Sequence, residues 1–178
     1  MTTPGAPAGP RRHVVVMGVS ATGKTTVGQE LAAALGSVFV EGDAFHPQAN
    51  IDKMAAGHPL DDADRRPWLR ALADEIARLE GVGQTSVTAC SALRRPYRDW
   101  LREGYADLYF VHLEATYDVL LDRMRRRKHF MPPSLLQSQL DTLEPLEPDE
   151  AGVVVDDTRT VDEVVADALA AVTGGAPG

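Results

Sequence analysis

The run Gly18–Val19–Ser20–Ala21–Thr22–Gly23–Lys24–Thr25 fits the pattern G-x-x-x-x-G-K-[ST] in full. Glycines at its two ends let the backbone turn tightly, so that several N–H groups converge on one point where a phosphate can sit. A helix starting behind them adds partial positive charge there. The expected cradle runs from Gly18 through Ser20, Ala21, Thr22, Gly23, Lys24, Thr25 and Thr26. Lys24 has the length to reach the β- and γ-phosphates of ATP, and the Thr25 hydroxyl can ligate Mg²⁺. This is nucleotide chemistry, but GTPases, motor ATPases and small-molecule kinases all share the loop.

A second cluster begins at Glu41–Gly42–Asp43. A carboxylate at Asp43, beside the phosphate loop, can accept the proton of a hydroxyl as it attacks phosphorus. Glu41 can support the metal through water. The competing reading makes both of them helix-capping loop carboxylates. Residues 43–69 then carry His46, Asn50, Lys53, His58, Asp61, Asp62, Asp64, Arg65 and Arg66. Much of that polarity suits any solvated loop, and a single histidine is more often a surface or packing residue. A polyhydroxylated acid, however, needs many donors and acceptors, and its carboxylate suits an arginine fork. The run at 85–90 ends in Cys90–Ser91, without the Mg²⁺-holding aspartate of many nucleotide hydrolases. That counts against a non-catalytic nucleotide switch.

A third cluster is Arg123–Met124–Arg125–Arg126–Arg127–Lys128. Cations are favoured at a helix C-terminus, so a solvated basic face is the plain reading. The run leads into Pro132–Pro133, which suggests instead a lid that closes over ATP. Arg123 and Arg127 are then the candidates for the ATP phosphates or adenine, and Arg127 for neutralising the transferring charge.

Short apolar runs must position these groups. His13–Met17 reads as a buried strand, and residues 24–35 as a helix with Val27, Leu31 and Leu35 on one stripe and Gly36 as its stop. Residues 37–40, 85–90, 108–113 and 153–155 read as further strands. Pro67 suits the first position of a helix carrying Trp68, Leu72, Ile76 and Leu79. Residues 116–127 read as another helix, and Leu135, Leu136, Leu140 and Leu143 mark the next. Thr160 with Glu163 forms a capping-box pattern before a last helix. This alternation predicts an α/β fold: a five-stranded parallel sheet with helices on both faces and ligand loops at one edge.

The length fits a single domain over 13–173, with a helical lid at about 123–145, a disordered segment 1–12 and a flexible tail 174–178. The net charge of −8 argues against nucleic acid as a partner. No run approaches the ~18 apolar residues of a membrane span, and the N-terminus lacks a signal-peptide pattern. The single Cys90 forbids an internal disulfide and suits the reducing cytoplasm.

The stretch Gly42–Asp43–Ala44–Phe45–His46–Pro47–Gln48–Ala49–Asn50–Ile51–Asp52–Lys53–Met54 resembles the signature of the P-loop gluconokinases. It continues through Gly57–His58–Pro59–Leu60–Asp61–Asp62–Ala63–Asp64–Arg65–Arg66–Pro67–Trp68–Leu69. The segments Cys90–Ser91–Ala92–Leu93–Arg94–Arg95, His129–Phe130–Met131–Pro132 and Leu135–Leu136–Gln137–Ser138–Gln139 are similar to the same family. Lys128 departs from it, standing where glycine is usual. The resemblance implies ATP-dependent 6-phosphorylation of D-gluconate, feeding the pentose phosphate pathway. It also implies a fold like the nucleoside monophosphate and shikimate kinases, and commonly a homodimer. It puts Asp43 at the catalytic-base position and places His46, Lys53, Arg65, Ser91, His129 and Gln139 in segments lining the sugar-acid site. Another small-molecule kinase, of shikimate or nucleotide type, is the competing reading.

Overall fold

The computed structural model describes residues 12–127 and 133–174. Most of the expected lead-in (residues 1–11), the tail from 175, and Lys128 with His129 in the lid lie outside the described residues. In chain order the elements are β1 (Val14–Met17), α1 (Lys24–Leu35), β2 (Val38–Glu41), a 3₁₀ turn (Gly42–Phe45) and α2 (Gln48–Ala55). Next come α3 (Asp62–Gly81), β3 (Ser86–Ala89), α4 (Arg95–Arg102) and β4 (Tyr109–Glu114). The chain ends with α5 (Tyr117–Arg126), α6 (Pro133–Thr142), β5 (Gly152–Asp156) and α7 (Val161–Val172).

All strand pairings are parallel, in the order β2-β3-β1-β4-β5. Alternation along β1 divides the core. Val14 and Val16 pack with Val27 and Leu31 of α1 and with Val164 and Ala168 of α7. Val15 and Met17 pack on the other face with Leu72 and Ile76 of α3, Leu101 of α4 and Leu120 of α5. Both faces of the sheet are therefore covered, as an apolar parallel sheet requires. No helix among the described residues is long and apolar enough to cross a membrane.

α1 stops at Gly36, whose φ of 66° is the left-handed conformation that a β-carbon disfavours. α7 starts at Thr160 with the reciprocal Thr160–Glu163 box. α3 differs from its expected start. It begins at Asp62 rather than at Pro67, because Asp61 and Asp64 form a capping box that satisfies the free amides of the first turn earlier. Two short helices, α2 and α4, stand between the expected strands and helices.

Arg98 of α4 ties the acceptor-side loop to the rest of the fold. Its side chain is fully buried. Nε and Nη2 donate to the two Glu150 oxygens at 2.7 and 3.0 Å, and Nη1 and Nη2 donate to the carbonyls of Ala92 (3.0 Å), Glu144 (3.1 Å) and Pro145 (3.2 Å). Every guanidinium donor is thereby used. Removing one partner of such a pair strands a buried charge. Arg98→Met is therefore expected to cost about 3–5 kcal/mol of folding stability, read by urea unfolding. Burial alone would raise the Glu150 pKa. The bonds from Arg98, the Glu147 amide and Arg102 outweigh burial and hold the carboxyl down at about 2. A depressed carboxyl pKa stabilises the fold above its ordinary value of 4.5, and that contribution fades as pH falls toward 2. Glu150→Gln should accordingly flatten the loss of stability below pH ~4.5.

Candidate active site

Val16 of β1 pairs with Ala89 of β3, and Ala89 pairs with Glu41 of β2. The ends of these strands lie side by side, so the loop after β2 sits two strand spacings, about 10 Å, from the loop after β1. Gly42 makes the crossing: a Cβ there would fall 2.1 Å from the Ala89 carbonyl oxygen.

Gly18 leaves β1 at φ 149°, and a Cβ on it would lie 2.8 Å from the Leu113 carbonyl and 2.9 Å from Thr22 Oγ1. Its N–H donates to the Ser91 carbonyl (3.3 Å), joining the β1 and β3 loops. Ala21 holds φ 69°, a conformation that costs a non-glycine residue about 1–3 kcal/mol. Thr22 Oγ1 and Lys24 Nζ both donate to the Val19 carbonyl, at 2.8 and 2.9 Å. The Thr25 hydroxyl donates to Glu41 Oε2 at 2.5 Å.

Two cavities meet at this loop. The smaller cavity, about 260 Å³, is lined by the loop residues Ala21, Gly23, Thr25 and Thr26, and also by Glu41 and Arg127. The second, about 710 Å³, presents Asp43, His46, Arg65, Ser91 and Gln139. Its apolar walls include Ile51 and Met54 of α2, Trp68 of α3 and Leu135 of α6. Ser20, Lys24 and Asp43 line both cavities.

The electrostatics follow from this enclosure. Lys24 keeps some exposed stem, yet burial lowers its pKa; the Asp43 and Glu41 carboxylates oppose that, and Arg127 adds to it. His46 stacks on Trp68 at 3.9 Å between centroids, and burial lowers its pKa against the pull of Asp43, whose Oδ1 lies 3.8 Å from Nε2. Its imidazole is therefore neutral near pH 7. Arg65 Nη1 donates to the Tyr97 hydroxyl (2.8 Å), which in turn donates to Asp62. Burial pushes the Cys90 thiol up to about 12, the Ala92 amide pulls it down, and Asp43 adds to the rise, so it stays protonated.

Most of the residues singled out in the sequence line these cavities. Lys53 does not. Ile51, Met54 and Ala55 share the helical face that lines the larger cavity, and Lys53 points elsewhere, to Asp64 Oδ2 at 2.6 Å. Arg123 lies beside the loop but is held by Asp157 Oδ2 (2.6 Å) and the Ala21 carbonyl (3.2 Å). His129 lies outside the described residues. The sequence reading missed the packing partners: Trp68 under His46, and Tyr97 with Asp62 behind Arg65. The Asp61-x-x-Asp64 box was the available signal for the start of α3.

The AAA domain family matches residues 14–131. A gluconokinase of Gluconobacter oxydans (strain 621H) is 49% identical over 155 residues, covering 86% of this chain and 87% of that protein. The crystal structure of a gluconokinase from Sinorhizobium meliloti 1021 superposes with a TM-score of 0.84 at 46% identity, covering 92% of this chain and 93% of that one. A shikimate kinase structure from Bacteroides thetaiotaomicron shares the fold alone, with a TM-score of 0.63 at 17% identity over 87% of this chain and 94% of that one.

Proposed function

The chain belongs to the gluconokinase family, and on that premise we propose that it transfers the γ-phosphate of ATP to the 6-hydroxyl of D-gluconate, giving ADP and 6-phospho-D-gluconate. The observation that carries this chemistry is the shared wall: Ser20, Lys24 and Asp43 border both the phosphate cavity and the larger cleft. An alcohol in the cleft and a γ-phosphate in the smaller cavity would meet at those residues.

Asp43 takes the proton of the attacking hydroxyl as the new P–O bond forms and the bond to the β-phosphate breaks. Lys24 holds negative charge on the phosphate oxygens, and Arg127 adds a second cation at the nucleotide cavity. Arg65, oriented by Tyr97, pairs with the sugar-acid carboxylate. Neutral His46 and Ser91 offer hydrogen bonds to the hydroxyls. The hydroxyl of Thr25 and the carboxylate of Glu41 form a hard-oxygen pair that fits Mg²⁺. When bound, that ion neutralises phosphate charge. The enzyme works in the cytoplasm, which suits its single protonated thiol, and as a homodimer, which the family resemblance implies.

A coupled ADP-release assay over gluconate, shikimate, glycerate and nucleoside monophosphates tests the reading. Turnover is expected with gluconate; turnover with another acceptor alone refutes the substrate.

A further inference from the structure

A side-chain hydrogen bond between the acceptor cleft and the phosphate loop plays no part in the reaction above. The backbone N–H of Ser20 donates to the side-chain oxygen Oε1 of Gln139 at 2.7 Å. Gln139 stands on α6 and lines the acceptor cleft, beside Ser138 and Leu135. Ser20 lines both cavities, so its amide sits at the boundary that a phosphoryl group must cross. A loop amide at that boundary is a donor for the charge that develops on the transferring group. In the structure a residue of the acceptor cleft holds that donor.

We propose that Gln139 couples phosphoryl transfer to acceptor occupancy. This rests on the gluconokinase reading above. With the cleft empty, the Gln139 oxygen keeps the Ser20 N–H, and the loop lacks one donor for water-driven loss of the γ-phosphate. A polyhydroxylated acceptor supplies hydroxyls that hydrogen-bond the Gln139 amide, which carries both an acceptor oxygen and a donor NH₂. Rotation of the amide toward those hydroxyls frees the Ser20 N–H for the phosphoryl oxygens. A backbone N–H makes one strong bond at a time, so the exchange links the two events. Release of one such hydrogen bond sets the size of the effect at about fivefold.

Two replacements of opposite expected sign provide the test, each measured as ADP released from ATP without gluconate and as 6-phosphogluconate formed with it. Gln139→Met keeps the length and removes the amide. It is expected to raise acceptor-independent ATP hydrolysis about fivefold. Gln139→Glu holds the same N–H through a charged oxygen and cannot donate. It is expected to lower both hydrolysis and transfer. Gln139 is only half-buried, so both variants should fold, and thermal unfolding checks this. If Gln139→Met does not fold, Gln139→Ala carries the same expectation. Hydrolysis unchanged in the amide-free variant, or moved the same way by both replacements, overturns the coupling role. Absence of gluconate phosphorylation by the unaltered enzyme overturns the earlier reading instead.

Discussion

Lys24→Met is expected to lower kcat for gluconate phosphorylation by about a thousandfold while the protein stays folded. The ammonium rests on the Val19 carbonyl, 2.9 Å away, inside the loop proposed to hold the triphosphate. Among the described residues no other lysine lines either cavity. A positive charge in such an enclosed place has far more effect on developing phosphate charge than it would in water. Methionine keeps most of the length and removes the charge. Since burial already disfavours that charge, its loss relieves desolvation, and the melting temperature should not fall. The same enclosure sets a pH dependence. Burial places the Lys24 pKa below 10.5, so activity that depends on its charge should decline, as pH rises, earlier than an ordinary lysine would dictate. The Met variant should lose that alkaline limb. A kcat within threefold of the unaltered enzyme would remove Lys24 from the proposed chemistry.

Asp43→Asn is expected to reduce kcat by about 10²–10⁴ with little change in the KM for ATP. Asparagine keeps the shape and the neighbouring Glu41–amide contact, but cannot take a proton. The carboxylate is largely exposed into the space between the cavities, with His46 Nε2 3.8 Å away. It thus has room to face an incoming hydroxyl, and among the described residues no ion pair within normal bonding distance must break first. Because the expected loss is in the chemical step, single-turnover rates should fall as far as steady-state ones. Full activity in the asparagine variant would leave Asp43 as a capping residue, the plainer alternative for a carboxylate at this turn. The Lys24–Asp43 double variant should lose less than the product of the two single losses, since both act on one transition state.

Both predictions concern residues that were visible in the sequence, but in different degrees. Lys24 belongs to a loop whose chemistry is local: residues 18–25 are neighbours in the chain, and their spacing fixes which amides can converge. The strands and the α1 and α7 caps were legible for the same reason, because an apolar run or a capping box acts over a few bonds. α2 and α4 were not, because eight residues give too short a stripe to show a period. Lys53 shows the limit from the other side. It sits in the right segment, yet the helix turns its side chain away from Ile51 and Met54, and Asp64 receives it.

Sequence alone determined the phosphate cradle, the parallel-sheet class and the segments that carry the acceptor groups, since these depend on residue type and short spacing. Only the tertiary structure decided that residues 43, 65, 91 and 139 share one cleft with Lys24. It also decided that Arg98 braces the Ala92 carbonyl and that Gln139 holds the Ser20 amide. Those meetings follow from the strand order β2-β3-β1 and from helices packed across it. They join residues up to 119 apart, a separation at which chain connectivity says nothing about direction and only packing does.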